Sequence, residues 1–336
     1  MLLCIAALLV GGHLYLPWVH EHPHLGGKAV WLSRPFWDLR VVGALLLVYG
    51  VGFRFVYLSL RRDFCIAAVR ERFDSRVKRM VAKGLTAENS AAEAERCSRK
   101  LTTLAPVVCI LYGFLFTVLG IDLIMALEPD WFSTLFGAWY FVGNIFAALA
   151  LLALVGLAAR KRLGLEQFLT TKRQGDLATL LLAFCLLNVD FFWNQYLTIW
   201  YANLPEETFY LIERTVDTEL PWRNLSFVSL ATFFLIPFVA LLLRRVKRNG
   251  VALAVVALVS LVGLLMARFI EIAPALLGDQ VGGTSPLAEL AMALAVLVAL
   301  LRAARELHGH FLAQVPVMPV GDPIFVAEHS DAEGHE

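Results

Sequence analysis

Charge is what this sequence has least of. Only 17% of its 336 residues are Asp, Glu, Lys or Arg, while 59% are hydrophobic and the mean hydropathy is +0.69. Soluble globular domains are about a quarter charged and just under half apolar, so a soluble enzyme is excluded. The apolar residues fall in long blocks rather than among polar filler, which excludes disorder. A surplus of either sign is also missing: the net charge is +1, which gives no reason to expect a nucleic-acid partner.

Cysteine pairs are lacking too. Cys4, Cys65, Cys97, Cys109 and Cys185 lie at least a dozen residues apart, so there is no CxxC pair, no CxxCH haem attachment and no iron–sulfur or zinc spacing. An odd count with three in apolar blocks reads as buried thiols. Histidine is nearly absent from those blocks. Only His13 lies in one, and His20, His22, His24, His308, His310, His329 and His335 fall outside. Haem ligation inside a membrane bundle needs imidazoles on packed helices, so a haem held within this chain is excluded. His20, His22 and His24 read as a hydrated loop, with metal binding as the alternative.

What is present is hydrophobic length. A spanning helix needs roughly 20 mostly apolar residues, and eight blocks qualify: 1–16, 39–60, 102–127, 134–159, 176–199, 224–243, 250–271 and 286–307. The first has neither the charged start nor the small-residue cleavage site of a signal peptide, and reads as a span. Every second loop is basic. Residues 61–100 carry eleven Lys or Arg, 160–174 carry five and 244–249 carry four, while 128–133 and 272–285 carry none. The loop 200–223 sets Arg214 and Arg223 against Glu206, Glu207, Glu213, Asp217 and Glu219. By the positive-inside rule both termini are cytoplasmic. The expected fold is therefore an all-α integral membrane protein of about eight spans, N-in and C-in. It divides into two spans over 1–60, a cytoplasmic linker over 61–101, a six-span core over 102–307 and a mobile cytoplasmic tail over 308–336.

Within the linker, Ile66, Val69, Phe73, Val77 and Met80 recur at helical intervals among basic residues and predict one amphipathic helix. Gly84 ends it, and a polar second helix runs to Lys100 before Pro106 opens the next span. Such a segment lies on anionic lipid or docks a partner subunit.

Polar residues inside spans are costly and therefore informative. Asp122 falls in the outer third of the third span, Asn144 in the fourth, and Arg268 and Glu271 at the outer end of the seventh. Arg54 in the second span lies within two turns of the basic end and snorkels. In the fifth span Asp190 and Asn194, four apart, share one face, and Asn188 and Gln195, seven apart, share another. For Asp122, Asp190 and Arg268 two readings stand: carboxylate–Arg pairing and hydrogen-bonded glue between helices, or a function as a proton pathway or the polar end of a quinone pocket. Trp193, Tyr196, Trp200 and Tyr201 read as an interfacial belt, or as a quinone-stacking surface.

Several stretches carry a family likeness. They are QYLTIWYANLPEETFY at 195–210, IDLIMALEPDWFSTLF at 121–136, LSRPFWDLR at 32–40, PFVALLL at 237–243 with its basic tail, and Arg268-Phe-Ile-Glu271 before Pro274. From about Tyr15 to Arg305 the chain resembles the ActF-type, quinone-associated membrane subunits of alternative complex III, in the NrfD/polysulfide-reductase-like family. The resemblance implies two four-helix bundles, the second (the fourth to seventh spans here) intact. Members carry about ten spans, so it also implies a start upstream of Met1 or a reduced first bundle.

Carried over, Asp122, Gln195, Trp200, Asn203, Pro205, Glu206, Glu207 and Arg268 match the motif, with a proton route or quinone-site remnant as the implied role. Trp200, Tyr201 and Asn203 are the quinone-surface candidates; Asn144, Asp190 and Glu271 join the proton-pathway candidates. Pro205 stops a helix and places Glu206 and Glu207 at the next helix N-terminus, where carboxylates are favoured; their role is structural or protonic. The implied function is a subunit of a bacterial inner-membrane quinol oxidoreductase with no metal or redox cofactor of its own. Its implied partners are a paralogous NrfD-like subunit, an iron–sulfur/molybdopterin-like subunit, c-type cytochromes carrying haem c, a haem-copper oxidase and membrane lipid. The alternatives are the quinol-binding anchor of a molybdopterin oxidoreductase and a stand-alone secondary transporter.

Overall fold

A computed structural model describes residues 16–20, 26–162, 165–216, 221–277 and 314–327, with 295, 298, 302 and 306 singly. All regular structure among them is helical. We number α1 (Arg34–Asp63), α2 (Ala67–Arg72), α3 (Arg76–Val81), α4 (Ser90–Leu123), α5 (Phe136–Arg162), α6 (Thr171–Ala202), α7 (Pro205–Thr215), α8 (Trp222–Leu230), α9 (Ile236–Leu242), α10 (Arg244–Arg248) and α11 (Gly250–Leu277). There are also single turns at Pro17–His20, Gly26–Lys28 and Met125–Leu127, helical residues at 323–327, and a π-helical turn at Ala231–Leu235 joining α8 to α9.

Six of these helical stretches are long and apolar enough to cross a bilayer: Arg34–Asp63, Ser90–Leu127, Phe136–Arg160, Thr171–Ala202, Trp222–Leu242 and Gly250–Leu276. The chain is a multi-pass, all-α membrane protein. The six match the second to seventh expected spans. The expected first span, the eighth span apart from single residues, and the loop group His22 and His24 lie outside the described residues.

The linker departs from the sequence expectation. In place of one amphipathic helix there are two short ones, α2 and α3, because Phe73 is extended (φ −107°, ψ 128°) and Ser75 caps α3 by accepting the Lys78 N–H. Ile66 and Met80 are exposed. Gly84 does turn the chain, at φ 79°. The polar second helix is no separate element: α4 begins at Ser90 and continues through Pro106 into the span. The proline has no N–H for the Thr102 carbonyl four residues earlier, yet the helix runs on through it, as membrane helices tolerate. Of the cysteines expected to be buried, Cys185 is and Cys109 is exposed; Cys65 and Cys97 are also buried.

The chain forms two compact units, one from Met1–Val42 and Gly113–Leu290, the other from Gly43–Tyr112 and Ala291–Glu336. The first is built on four packed spans: α5, α6, the α8–α9 stretch and α11. Their shared core holds Phe146, Ala150 and Ala153 from α5, Ala178, Leu181 and Cys185 from α6, Phe233 and Leu241, and Leu253, Ala257 and Leu264 from α11. Lipid is as apolar as leucine, so helices associate here by close packing, which small residues permit. Gly263 shows how close: a Cβ there would lie 2.4 Å from the Phe233 amide nitrogen and 2.6 Å from Thr232 Oγ1.

That contact adjoins the π turn. Pro237 has no N–H for the Phe233 carbonyl four residues earlier, and the backbone widens there, with the Ile236 N–H reaching the Ala231 carbonyl. Cys185 Sγ lies 3.6 Å from the freed Phe233 oxygen.

In the second unit Leu58, Cys97 and Leu101 form the core. Part of the tail expected to be loose is tied down. Arg62 bonds Asp322 at 2.6 Å, the Gly321 N–H donates to Asp63 at 2.8 Å, Ser75 Oγ donates to the Gln314 carbonyl at 3.0 Å, and Val315 is buried.

Gly263→Ala forces α11 away from the π turn and is expected to cost about 1–3 kcal/mol through overpacking. Gly156→Ala, where a Cβ meets nothing within 4 Å, is expected to be neutral or slightly stabilising. Thermal unfolding of the two variants in detergent checks the contrast.

Candidate functional site

One end of the first unit is organised by a buried arginine on a short amphipathic helix. α6 ends because Asn203 takes the left-handed conformation (φ 49°, ψ 40°), its N–H closing on the Ile199 carbonyl at 3.0 Å. Asparagine accepts that conformation more readily than most residues. Pro205, at the start of α7, then turns the chain with Glu206 and Glu207 in the first helical turn. α7 presents Tyr210 and Arg214, four apart, to the interior, and both are buried.

Arg214 uses its whole guanidinium fork. Nε donates to the Ile270 carbonyl at 3.2 Å, and Nη1 to the Tyr210 carbonyl at 3.1 Å and Glu213 Oε2 at 3.0 Å. Nη2 donates to Glu128 Oε1 and, at 3.5 Å, to the Glu271 carbonyl. The Ile270 carbonyl is available because Pro274, four residues on in α11, has no N–H to give it. The guanidinium carbon lies 3.6 Å from the Tyr210 ring centroid, and that ring stacks on Trp131 at 3.8 Å and 11°. Burial opposes the charge on Arg214, but Tyr210, Glu128 and Glu213 outweigh it and hold the guanidinium above its ordinary pKa. Burial raises the Glu128 carboxyl, against the pull of Arg214, and raises the Tyr210 hydroxyl as well.

Beside this knot lies a second pair. Arg268 Nη1 bonds Glu271 Oε2 at 2.5 Å, and its guanidinium sits 5.3 Å from the Trp139 ring and 4.7 Å from the Tyr140 ring. Gly143 makes room for it: a Cβ there would lie 2.6 Å from Arg268 Nη2 and 3.1 Å from Asn188 Oδ1. Glu271 Oε1 and Asn188 Oδ1 are buried with no hydrogen-bond partner among the described residues.

A cavity of about 550 Å³ opens next to this pair, lined among others by Trp139, Trp193, Gln195, Phe233, Ala267 and Glu271. Its volume is in the ordinary range for small-molecule sites, which are mostly apolar with a few placed polar groups. Trp193 and Phe227, both more than half exposed, line it on the outer surface of the helices. Gln195 Oε1 accepts from Ser133 at 3.0 Å, and its amide nitrogen has no partner among the described residues. Two of the lining residues thus carry an unpaired polar group, the amide nitrogen of Gln195 and the buried Oε1 of Glu271. That pair suits a flat ring with oxygen substituents.

The structure separates the sequence candidates into groups. Gln195, Glu271 and Arg268 come together, with Asn188 beside them. Asp122 does not join them. It is fully buried, gripped by Arg40 through Nη2 at 2.7 Å and Nε at 2.9 Å, with Trp31 Nε1 at 3.0 Å. Trp37 Nε1 donates to its backbone carbonyl at 2.9 Å. Asp122 is therefore an interhelical clasp, paired with Arg40 and not with Arg268. Asp190 and Asn194 share an exposed face, and Asn194 Nδ2 bonds the Asp190 carbonyl at 2.8 Å. Asn144 is half-buried and makes no hydrogen bond among the described residues. Trp200 and Tyr201 are 62% and 85% exposed, and with Asn203 they lie outside the cavity lining. Glu206 is exposed and Glu207 half-buried.

Sequence reading missed Glu128, Tyr210 and Arg214 as site residues. The readable signal was a lone arginine on the apolar face of a short helix, set among acids. Among the described residues no cluster of His, Cys, Asp or Glu is arranged to hold a metal.

Removing one partner of a buried ion pair costs about 3–5 kcal/mol, so Arg214→Gln is expected to lose that much stability and Glu128→Gln less. Arg214→Lys keeps the charge without the fork and is expected to recover only part of it. Gly143→Ala is expected to displace Arg268 at a cost of about 1–3 kcal/mol. Unfolding midpoints of the purified chain test all four. No protein-family model matches the chain, and no curated protein matches it in sequence.

Proposed function

We propose that this chain is a multi-pass subunit of a quinol-oxidising electron-transfer complex of the alternative complex III type, with both termini in the cytoplasm of a bacterial cell. The observation that carries the reading is the apolar cavity bearing a bare Glu271 oxygen and a free Gln195 amide. A quinone headgroup needs an apolar slot reachable from the bilayer, a donor for its carbonyl and an acceptor for its hydroxyl. Oxidation of a quinol releases two protons and two electrons. Glu271 is positioned to accept a proton, and Glu128 and Glu213, which line an open pocket on the Arg214 side, offer a way out. Iron–sulfur clusters and c-type haems held by partner subunits would take up the electrons.

The exposed carboxylate of Asp190 supports the subunit reading. It lies well inside α6, where an ionised group facing hydrocarbon costs about 2.5–3.5 kcal/mol or more, so a neighbouring membrane helix with donor groups suits that face. A transporter would use broken helices whose free backbone groups hold a substrate or ion. Here the carbonyls released by Pro237 and Pro274 face Cys185 and Arg214 instead. The molybdopterin-anchor alternative shares the membrane geometry and differs in the soluble arm.

Purification of the tagged chain from its native membrane is expected to bring down c-type haem absorbance and iron–sulfur protein. Molybdenum in their place moves the assignment to the anchor, and a chain that purifies alone overturns both. Trp139 and Trp193 report on the cavity: decylubiquinone is expected to quench the isolated chain's fluorescence saturably. Ala267→Phe is expected to abolish the effect by filling the space, and Gln195→Leu to weaken it about fivefold through one lost hydrogen bond. Unsaturable quenching, or equal quenching in both variants, counts against the ring site.

A further inference from the structure

At the opposite, basic end of the first unit lies a second concavity. Thr171, Lys172, Gly175, Asp176 and Thr179 recur at one, four, five and eight positions along α6 and so share one stripe of that helix. Facing them on α10 are Arg244, Lys247 and Arg248, at three and four positions, again one face. Together these residues line a pocket of about 480 Å³ with four cations against one carboxylate.

α10 is held against α6 by two bonds, Gln174 Nε2 to the Lys247 carbonyl at 3.1 Å and Lys247 Nζ to Thr179 Oγ1 at 3.2 Å. Lys172, Arg244 and Arg248 have no ion pair or hydrogen bond among the described residues, and all three are exposed. Three cations are thus brought to one hollow without a counter-charge of their own beyond Asp176. Folding alone does not require that arrangement. The packing of α10 uses Lys247 and leaves the arginines spare.

We infer that this pocket binds the phosphodiester headgroup of an anionic membrane lipid. The shared chemistry with inorganic phosphate is a charge-assisted contact from arginine, lysine and threonine hydroxyl groups to phosphate oxygens. Position decides between the two. The pocket sits where the spans α6 and α11 begin and α9 ends, and Leu180, Leu242, Leu243 and Val251 beside it are 45%, 56%, 58% and 76% exposed. Acyl chains attached to a phosphate held in this hollow meet apolar side chains at once. A soluble phosphate gains nothing from them and is far smaller than the space. Basic pockets between spans are where anionic headgroups bind.

The test uses the delipidated full chain in detergent, titrated with phosphatidylglycerol or phosphatidylcholine and read by native mass spectrometry. Each basic side chain near an anionic headgroup is worth about fivefold in binding. Arg244→Gln with Arg248→Gln is therefore expected to reduce phosphatidylglycerol retention roughly 25-fold, with phosphatidylcholine unaffected. The control is Arg223→Gln, which removes an exposed arginine from the Arg214 end of the unit and is expected to leave retention unchanged. Because Arg244 and Arg248 make no ion pair or side-chain hydrogen bond among the described residues, an unchanged melting temperature accompanies the loss. Equal loss in the control overturns the inference, as does equal retention of the two lipids by the wild type. Displacement of phosphatidylglycerol by excess inorganic phosphate overturns the lipid as occupant.

Discussion

The buried guanidinium of Arg214 is the constraint on which this end of the molecule depends. A charge in a membrane protein survives only if every donor is met, and here the acceptors come from three separate stretches: the loop after α4, α7 itself and the last turns of α11. The loop and α7 are too polar to span, and they pack on the spans through a small cluster of Ile124, Trp131, Phe136, Trp139, Ile199 and Tyr210. Arg214 adds to that packing, with the Tyr210–Trp131 stack on which its guanidinium lies. The roof of the cavity is therefore fixed by hydrogen bonds and packing together.

That packing explains the character of the pocket. Helices in lipid gain little from burying leucine, so close approach has to come from small residues, and Gly143 and Gly263 stand where backbones or a guanidinium come too near for a Cβ. The π turn adds width to one wall next to Gly263. The result is a space bounded by aromatic rings and a few polar residues, among them Gln195, Arg214, Ser229 and Glu271. The Glu271 carboxylate is half satisfied: Arg268 holds one oxygen, and the other is left for whatever enters.

The spans were legible because apolar length is a one-dimensional property, and each of the six described was visible as a hydropathy block. The division of α6 into an Asp190 face and an Asn188–Gln195 face was also legible, since helical spacing alone separates them. Spacing did not say which face was buried. Asp122 could not be matched to Arg40 because the two are 82 residues apart and no periodicity links them. The linker failed for a local reason: its apolar spacing was right for a helix, yet an extended Phe73 and a serine cap interrupt it. Arg214 was passed over because in a loop count it is only one basic residue among acids. Its importance appears when the proline-released carbonyl of Ile270 is set beside it.

That pairing of Pro274 with Arg214 carries an evolutionary consequence. The proline frees the Ile270 carbonyl, and the Nε–H of Arg214 takes it. Replacing the proline gives that oxygen a competing donor in its own helix; replacing the arginine leaves the oxygen without one. The two positions are bound in mutual epistasis, and descendants of this chain should keep both or discard both together.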